Sequence, residues 1–403
     1  MKEGVIGSNS KVKVLHVITR LILGGAQQNT MITASGLDPQ HFDVTLVSGP
    51  QTGPEGTIFD EVQRRGVRVR ILKELVREIN PLKDLQALAR LYWLIRIEGF
   101  DIVHTHSSKA GILGRLAAWL AHVPVVVHTV HGWGFHDQMW APQRWLFVRL
   151  ERWAALISDK LIVVSNVTKA KGLQEKIGTP EQFVTIYSGI EPKEFTCPAF
   201  DPEKKRRELG IPSGVPVIGT IGRLSPQKAP GDLLAAARKV VDAIPEARFV
   251  IVGDGPLRRQ VEQSIRAMGF GESIVLTGIR EDVTELMTLF DIFVLASRWE
   301  GLPRVIPQAM AAGKPVVCTN VDGNSEAVTD GVNGFVVPPR DPEALCNAIL
   351  TLLRNPSLIK TMGQEGRKGA AIFCASVMVE AIEVLYHTLC FEKLGRAVAW
   401  RRS

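Results

Sequence analysis

The sequence predicts an α/β protein with two Rossmann-like halves. Apolar runs typical of strands alternate with helical patterns up to about residue 195, which is a βαβ rhythm. The rhythm restarts at Val217, after a charged, proline-flanked stretch from Pro198 to Pro216. The chain also has 403 residues, more than the roughly 250–300 at which a single hydrophobic core usually stops growing.

The rhythm gives the expected elements and domain bounds. In the first half it predicts strands at Val12–Ile18, Phe42–Val47, Ile102–His104, Val125–Val130, Leu161–Val164 and Val184–Tyr187. In the second half it predicts strands at Val217–Ile221, Arg248–Val252, Ile274–Leu276, Ile292–Leu295, Pro315–Thr319 and Gly334–Val337. A last helix is predicted at about Ala375 to Glu392. We therefore expect one domain over 11–195, a second over 196–375, and a segment over 376–403 that packs back on the first domain.

Glycine turns follow the first strand of each half. Gly24 and Gly25 end the first strand of one half, and Gly222 ends that of the other. Such turns let the backbone approach a phosphate or a sugar closely. Gly253 and Gly255 form a third turn but lack the further glycine of a G-x-G-x-x-G fingerprint. The pattern therefore disfavours a nicotinamide dinucleotide.

Composition excludes several classes of protein. Hydrophobic residues make up 45% of the chain, and its 36 glycines and 23 prolines suit many short βα turns rather than disorder. The five cysteines include no C-x-x-C pair, which indicates neither a disulfide framework nor a zinc site and favours a reducing compartment. The first ten residues lack a signal-peptide core, and no window reaches about 18 uninterrupted apolar residues. We expect a cytoplasmic protein.

The segment from Ser297 to Val317 places an acidic residue where a strand turns into a helix. Glu300 follows the predicted strand Ile292–Leu295, and Pro303 precedes a predicted helix over residues 304–312 that Gly313 ends. The carboxyl edge of an open α/β sheet faces the ligand crevice, and a helix N-terminus offers free N–H groups to an anion. Taken alone, this segment is explained equally well by a ligand site and by an ordinary surface turn.

A basic pair follows the glycine turn of the second half. In GRLSPQK, which runs from Gly222 to Lys228, a guanidinium and an ammonium lie five residues apart. Arg223 can bind two phosphate oxygens as a fork, and Lys228 adds a mobile point charge. Together they can neutralise the negative charge of a phosphate group.

Histidines mark the corresponding edge of the first half. They lie in HTHSSKAG, from His104 to Gly111, and in HTVHGWG, from His128 to Gly134. His104 and His106 would share one face of a strand, but neither segment contains an acidic residue or a cysteine that could complete a metal site. We therefore expect no metal. Ending a strand explains His104 and His128 better than a ligand does, and His106 can have either role.

These segments resemble the signatures of the retaining glycosyltransferases of family 4, which have the B-type glycosyltransferase fold (GT-B). That family usually reads E-G-F-G-x-x-x-x-E-A-M-A-x-G-x-P-V, G-R-x-x-x-x-K and H-G. The positions that match the first signature are Glu300, Gly301, Ala309, Met310, Ala311, Gly313, Pro315 and Val316. Pro303 replaces its second glycine and Gln308 its second glutamate. As a neutral group, Gln308 forgoes the charge-assisted bond to a ribose diol, which is roughly twice as strong as a neutral one.

The resemblance implies a role for each matching residue. Arg223 and Lys228 would grip the donor pyrophosphate, Glu300 would touch the donor sugar, and His131 would orient that sugar beside the bond that breaks. Further donor contacts are implied at Gly25, Gly222, Gly253, Arg280, Leu302 and Gln308. His106 and Lys109 are the candidates for contact with the acceptor. The two halves would face each other, the first binding the acceptor and the second the nucleotide sugar.

The resemblance also implies retention of the anomeric configuration. The first half shows no clear nucleophile, so a front-side mechanism fits, in which a β-phosphate oxygen of the leaving group accepts the proton of the acceptor. No D-x-D pattern is present, and we expect no divalent metal and no cofactor besides the nucleotide sugar as co-substrate. The implied reaction transfers a hexose or an N-acetylhexosamine in the assembly of cell-surface polysaccharide or glycolipid.

Charge and aromatic residues suggest a lipid-linked acceptor. Residues 1–195 hold 23 Lys and Arg against 18 Asp and Glu, so the acceptor half carries most of the net charge of +7. Between Trp140 and Trp153, three tryptophans interleave with three arginines, which is typical of a helix at an anionic bilayer. A core helix whose arginines extend outward explains this stretch equally well. We expect a saccharide or polyprenyl-linked acceptor and peripheral contact with the inner face of the plasma membrane.

Three alternatives remain from the residues. The pI near 9.2 suggests nucleic acid, but the basic residues are dispersed and no nucleic-acid motif is present, so none is expected. A sugar-nucleotide epimerase shares the two-domain fold without needing the paired basic and acidic signatures. A catalytically weak paralogue that only binds nucleotide sugar is suggested by Gln308, and by Gln27 where the family often has glutamate.

Overall fold

The computed structural model describes residues 11–51, 56–196 and 200–395, which form two compact units. The first unit comprises the described residues up to Val163, then Lys169–Ile186, and those from Met378 onward; the second comprises Val164–Thr168 and Tyr187–Val377. The predicted domain limits were residues 195 and 375. The first ten residues, Cys197 and residues 198–199 of the predicted linker, and the end of the predicted segment from 396 to 403 lie outside the described residues.

The described part of the first unit contains a parallel sheet in the order β3-β2-β1-β4-β5-β6-β7. Its strands are β1 (Val12–Ile18), β2 (Phe42–Ser48), β3 (Arg68–Ile71), β4 (Ile102–His106), β5 (Val125–Val130), β6 (Lys160–Val163) and β7 (Phe183–Thr185). The helices are α1 (Gly25–Gly36), α2 (Phe59–Arg64), α3 (Pro81–Glu98), α4 (Ser108–Leu120), α5 (Ala141–Leu156) and α6 (Asn166–Gln174).

The described part of the second unit contains a parallel sheet in the order β10-β9-β8-β11-β12-β13. Its strands are β8 (Val217–Ile221), β9 (Arg248–Val252), β10 (Ile274–Gly278), β11 (Ile292–Leu295), β12 (Val316–Thr319) and β13 (Gly334–Val337). The helices are α7 (Pro192–Thr196), α8 (Pro202–Glu208), α9 (Pro230–Ala243), α10 (Arg258–Ala267), α11 (Val283–Leu289), α12 (Val305–Ala311), α13 (Asn324–Ala327), α14 (Pro342–Leu353) and α15 (Pro356–Gly369). The last helix of the chain, α16 (Ala375–Leu394), belongs to the first unit from Met378 onward.

Short turns and local caps separate these elements. Pro81 is the first residue of α3, and the side chain of Asn80 accepts a hydrogen bond from the N–H of Lys83 at 3.1 Å. Asp341 caps α14 in the same way, accepting from the N–H of Ala344 at 2.9 Å. Strand β11, at the centre of the second sheet, is buried and entirely apolar, with the sequence IFVL.

The predicted α/β class with two Rossmann-like sheets is confirmed. All twelve predicted strands are present, with small differences at their ends, and β3 is an additional strand that the sequence analysis missed. Its residues, RVRI, are largely exposed, since β3 lies at the edge of its sheet. A short, charged edge strand carries little of the apolar signal on which strand prediction depends.

Both sheets reverse their strand order at one place. The order 3-2-1-4-5-6 runs outward in two directions from the first strand, so the reversal falls between β1 and β4 in the first unit and between β8 and β11 in the second. Loops after these strands leave a crevice outside the carboxyl edge of the sheet, where α/β proteins bind ligands. In each unit, the sequence motifs lie at this edge.

Candidate active site

Glycines bring two loops of the second unit into backbone contact at its sheet edge. Gly222 follows β8 and donates its N–H to the carbonyl of Val252 at 2.9 Å. Gly253 follows β9 with a φ of +130°, and a β-carbon there would lie 2.1 Å from the carbonyl oxygen of Gly222. A side chain at residue 253 would therefore push the two loops apart. Here the glycines are needed for backbone packing next to the basic pair.

The basic motif and the acidic segment meet at this edge. The ammonium of Lys228 contacts Oε1 of Glu300, whose side chain is only 7% exposed. The hydroxyl of Ser297 donates to the same carboxylate oxygen at 2.6 Å, and the amide of Gln227 donates to the other at 3.3 Å. The N–H of Glu300 in turn donates to a carboxylate oxygen of Asp322 at 2.6 Å. Three donors and a backbone anchor thus fix a buried carboxylate.

This arrangement gives Lys228 an exchangeable partner. The lysine side chain lies along Gly222, where an added β-carbon would approach its Cε to 3.3 Å. Arg223, on the same loop, is exposed. An anionic ligand with several oxygens can compete with Glu300 for the ammonium, because charge-assisted hydrogen bonds to phosphate are strong. The loop can therefore bind an anion at the carboxyl edge of β8.

The amide that replaces the second glutamate of the signature lies on α12. Gln308 is buried, and its N–H donates to the carbonyl of Arg304 at 3.1 Å within the helix. Leu302 packs its side chain into the core of the second unit, so a contact of this residue with a ligand has to come from its backbone. Both residues lie within eight positions of Glu300, on the turn and helix that follow β11.

Arg280 is committed to carboxylates of its own unit. Its guanidinium donates to both oxygens of Asp282, at 2.7 and 2.6 Å, and it also contacts Glu208. The hydrogen bonds from Arg280 hold the pKa of the Asp282 carboxyl well below its usual range. Lys205 contacts the same carboxylate at 2.6 Å. The predicted donor contact of Arg280 would require this ion-pair network to open.

Four histidines gather in the first unit, on two faces of its sheet. His16 of β1 is in register with His104 of β4, and His106 lies two residues further on the same face. His128 of β5 is in register with Thr105 and therefore lies on the opposite face. All four side chains are buried. The sequence analysis missed His16, whose only signal is a histidine inside the apolar strand VKVLHVI.

A chain of hydrogen bonds joins three imidazole rings. Nδ1 of His16 lies 2.9 Å from Nε2 of His106, and Nδ1 of His106 lies 3.1 Å from Nε2 of His131. Both ring pairs are stacked, with interplanar angles of 18° and 24°. His131, the histidine of the H-G motif, is half-buried, whereas His16 and His106 are fully buried.

His104 and His128 have other partners. His104 bonds the hydroxyls of Tyr386 and Thr129 at 2.5 and 2.7 Å, so α16 contributes to this face of the sheet. His128 bonds the hydroxyl of Thr105 at 2.9 Å. Its ring lies against Gly111 of α4, where an added β-carbon would approach it to 2.6 Å. Both histidines thus have structural partners, and each lies inside its strand, two residues before the strand ends.

Burial keeps these histidines neutral. It lowers the pKa of His16 to about 3 and the pKa values of His104, His106 and His128 well below 6.5. Neighbouring histidines add to the effect for His104 and His106, and the buried cation Arg115 adds to it for His128. Arg115 is itself paired with Glu151 at 2.8 Å. Neutral imidazoles can both donate and accept one hydrogen bond.

The two residues predicted to contact an acceptor both have partners within the first unit. His106 is fully buried between His16 and His131. Lys109, at the start of α4, pairs with Asp84 at 2.6 Å and also contacts the carbonyl of Glu78. Gly25, by contrast, is exposed at the first turn of α1.

His16, His104 and His106 also come close enough together to be considered as metal ligands. Each offers a ring nitrogen, and these atoms lie within 4.8 Å of one another. Five of the six ring nitrogens already have hydrogen-bond partners, the exception being Nε2 of His16. Hydrogen bonding between the rings therefore accounts for this cluster better than coordination does.

Two family models match most of the chain. Residues 23–194 match Glycosyltransferase Family 4, and residues 201–369 match Glycosyl transferases group 1. A relative from Escherichia coli, UDP-Gal:alpha-D-GlcNAc-diphosphoundecaprenol alpha-1,3-galactosyltransferase, is 34% identical over 85% of this chain and 88% of its own. The putative glycosyltransferase EpsD of Bacillus subtilis is 30% identical over 75% of this chain and 81% of its own.

Solved structures share the fold. The chain is similar to Anabaena Alr3699/HepE, crystallised in complex with UDP and glucose, with a TM-score of 0.82 and 22% identity over 93% of this chain and 99% of that one. WaaG, a glycosyltransferase involved in lipopolysaccharide biosynthesis, is similar with a TM-score of 0.73 and 17% identity over 92% of this chain and 99% of that one. The GT-B fold implied by the motifs is thereby confirmed.

The buried histidines predict that stability falls in mild acid. Below pH 6.5 the unfolded chain binds protons that the folded histidines reject, so the free energy of unfolding decreases as pH falls from 6.5 toward the pKa of about 3 of His16. Each such histidine contributes up to about 1.4 kcal/mol per pH unit. Urea denaturation between pH 5 and 7 should show this slope, and the slope should be shallower in His16→Phe.

The matched control for that measurement is His122→Asn, because His122 is exposed and its φ of +57° suits asparagine. It should leave the pH dependence unchanged. An unfolding free energy that is constant between pH 5 and 7 in the unaltered protein would contradict the neutral state of the buried rings.

Proposed function

The chain belongs to glycosyltransferase family 4, and on that premise we propose that it is a retaining hexosyltransferase that uses a UDP-hexose and a lipid-linked sugar acceptor. The observation that carries the proposal is the contact between Lys228 and Glu300 at the switch point of the second sheet. This contact joins Lys228, a cation that can bind a diphosphate, with Glu300, a fixed carboxylate that can accept hydrogen bonds from sugar hydroxyls. The family's two donor signatures thus meet at one place.

The Escherichia coli relative supports the choice of substrates. Its name gives UDP-galactose as donor and an N-acetylglucosaminyl diphosphopolyprenol as acceptor, with an α-1,3 product. Since UDP-galactose is itself an α-glycoside, that product retains the configuration. We propose the same classes of donor and acceptor for this chain, and a place in cell-surface polysaccharide or glycolipid assembly.

In the proposed reaction the second unit stabilises the leaving group. Arg223 and Lys228 bind the diphosphate and offset the negative charge that grows as the glycosidic bond breaks. When Lys228 turns to the phosphates, the carboxylate of Glu300 loses its cation and becomes free to accept hydrogen bonds from sugar hydroxyls. Gln227 and Ser297 keep donating to that carboxylate and hold it in place.

Proton transfer follows the front-side route. The acceptor hydroxyl attacks the anomeric carbon on the face that the diphosphate leaves, and a β-phosphate oxygen takes its proton. His131 orients the sugar by hydrogen bonding and favours the oxocarbenium-like transition state. In this proposal the protein residues position the sugar and neutralise the charge of the diphosphate, and none of them forms a covalent intermediate.

Transfer from UDP-galactose, UDP-glucose and UDP-N-acetylglucosamine to a short-chain N-acetylglucosaminyl diphosphopolyprenol tests the proposal. We expect one hexose donor to be used and an α-linked product, determined by NMR. Arg223→Ala and Lys228→Ala should each lower kcat/KM by about 100-fold, because each removes a charge that stabilises the leaving group. UDP should raise the Tm of the unaltered protein but not of these variants.

Lys239→Ala is the matched control, since Lys239 is an exposed lysine of α9 in the same unit and pairs with Glu343. It should leave kcat/KM and the UDP-induced shift unchanged. A β-linked product would overturn the proposed retention. Turnover that survives in Arg223→Ala and Lys228→Ala would overturn their role at the diphosphate.

We also propose that α5 contacts an anionic membrane surface. Trp145 and Leu156 are 60% and 81% exposed, and the guanidinium of Arg149 lies 5.3 Å from the centre of the Trp145 ring. A hollow of about 440 Å³ is lined by Arg149, Arg152, Trp153, Leu156, Lys176, Gly178, Thr179 and Gln182. Exposed tryptophans beside cations suit the headgroup region of a bilayer. No helix within the described residues is both long and apolar enough to span a membrane.

Sedimentation with vesicles that contain anionic lipid tests this contact. The unaltered protein should bind at low salt and release at high salt, since the attraction is screened. The double variant Trp145→Ser and Trp153→Ser should lose at least about half of the bound fraction. Trp93→Ser is the matched control, because Trp93 is equally exposed, at 60%, but lies on α3. Equal loss in both variants would contradict a specific role of α5.

A further inference from the structure

We propose that His106 and His16 are positioning residues for the transfer reaction, because they fix which ring nitrogen of His131 carries its proton. Neither residue need touch the substrate, since both are fully buried. They would act only through the hydrogen bond from His106 to His131. The inference rests on the proposed contact of His131 with the donor sugar and adds two residues that lie outside the three signatures quoted above.

The geometry makes the three rings a single unit. The two nitrogen–nitrogen distances, 2.9 Å from His16 to His106 and 3.1 Å from His106 to His131, are those of hydrogen bonds. A neutral imidazole has one N–H and one lone pair. His106 uses both nitrogens and must therefore donate at one and accept at the other. The direction of one bond then determines the direction of the other.

Only two arrangements satisfy this rule. In the first, His16 donates from Nδ1 to His106, His106 donates from Nδ1 to His131, and His131 carries its proton on Nδ1. In the second every bond is reversed: His131 donates from Nε2, and His16 carries its proton on Nε2. The tautomer of His131 is thus coupled to that of His16, two rings away.

The environment of His16 selects the first arrangement. Its Nε2 is buried and has no hydrogen-bond partner within the described residues. In the first arrangement this atom is an unpaired lone pair, and in the second it is an unpaired N–H. Buried backbone N–H groups without a partner are rarer than buried carbonyl groups without one. We apply the same preference to the ring of His16, so the arrangement that leaves a lone pair without a partner is favoured. His131 therefore carries its proton on Nδ1, and that ring nitrogen acts as a hydrogen-bond donor.

Neighbouring side chains hold the three hydrogen-bonded rings in place. His104 lies beside both rings in tilted orientations, with its centroid 4.9 Å from that of His16 and 4.3 Å from that of His106, and it is itself fixed by Tyr386 and Thr129. Burial also lowers the pKa of His16 and of His106, so neither ring gains a second proton near neutral pH. Protonation of His16 or of His106 therefore does not interrupt the hydrogen bonds between the rings near neutral pH.

Selective labelling of histidine with ¹⁵N and long-range NMR of the ring nitrogens tests the coupling in the full chain. In the unaltered protein we expect His16, His106 and His131 to carry their protons on Nδ1. The variant His16→Phe removes the first ring of the hydrogen-bonded histidines, and we expect the signal of His131 to shift toward a mixture of tautomers. The same variant should lower kcat about tenfold with little change in the donor KM, as expected when a group is misoriented in the transition state.

His387→Phe is the matched control, since His387 is a histidine of α16 in the same unit whose ring nitrogens have no hydrogen-bond partner within the described part of the chain. It should change neither the His131 signal nor kcat. If His131→Ala abolishes transfer but His16→Phe leaves both kcat and the tautomer unchanged, the inference is wrong while the proposed function stands. If His131→Ala transfers normally, the proposed role of His131 is wrong.

Metal analysis of the purified protein separates this inference from coordination. We expect no stoichiometric zinc, nickel or iron in the unaltered protein. One equivalent of metal that is lost in His16→Phe and kept in His387→Phe would mean that the rings hold a cation, and it would overturn the hydrogen-bonded chain.

Discussion

The parallel direction of the strands is the constraint on which the rest of the structure depends. Because every strand in both sheets runs the same way, each strand delivers its following loop to the same edge. Where the strand order reverses, between β1 and β4 and between β8 and β11, these loops diverge and leave room for a ligand. Segments that are far apart in sequence, such as those of Lys228 and Glu300, meet there.

The two units handle polar groups at this edge in opposite ways. The second unit buries a carboxylate against a lysine, so its charges are present but paired and can be exchanged for those of a ligand. The first unit buries imidazoles that desolvation keeps neutral, and it links them by hydrogen bonds. In the proposed reaction, the charged groups of the second unit thus neutralise the leaving group, and the neutral imidazoles of the first unit orient the sugar.

The sequence predicted those features whose signal lies within a few neighbouring residues. Apolar strands such as β11 and the glycine at residue 253 have signatures within a few residues, and both are present. His16 could not be found this way, because its partner His106 is 90 residues away and only sheet register brings them together. Arg280 shows the converse limit: the family resemblance implied a donor contact for it, and its ion pair with Glu208, 72 residues earlier in sequence, could not be predicted from the local sequence. The exposed edge strand β3 lacked the apolar pattern altogether.

The division of labour between Lys228 and Glu300 is tested most directly by Glu300→Gln, with UDP binding measured by calorimetry and hexose transfer measured on the same preparation. With Lys228 on the diphosphate and Glu300 on the sugar, UDP should bind as tightly as before or more tightly, since a competing carboxylate is removed from the ammonium. Transfer should fall at least about tenfold. Loss of UDP binding together with intact turnover of bound donor would contradict the assignment of the two residues.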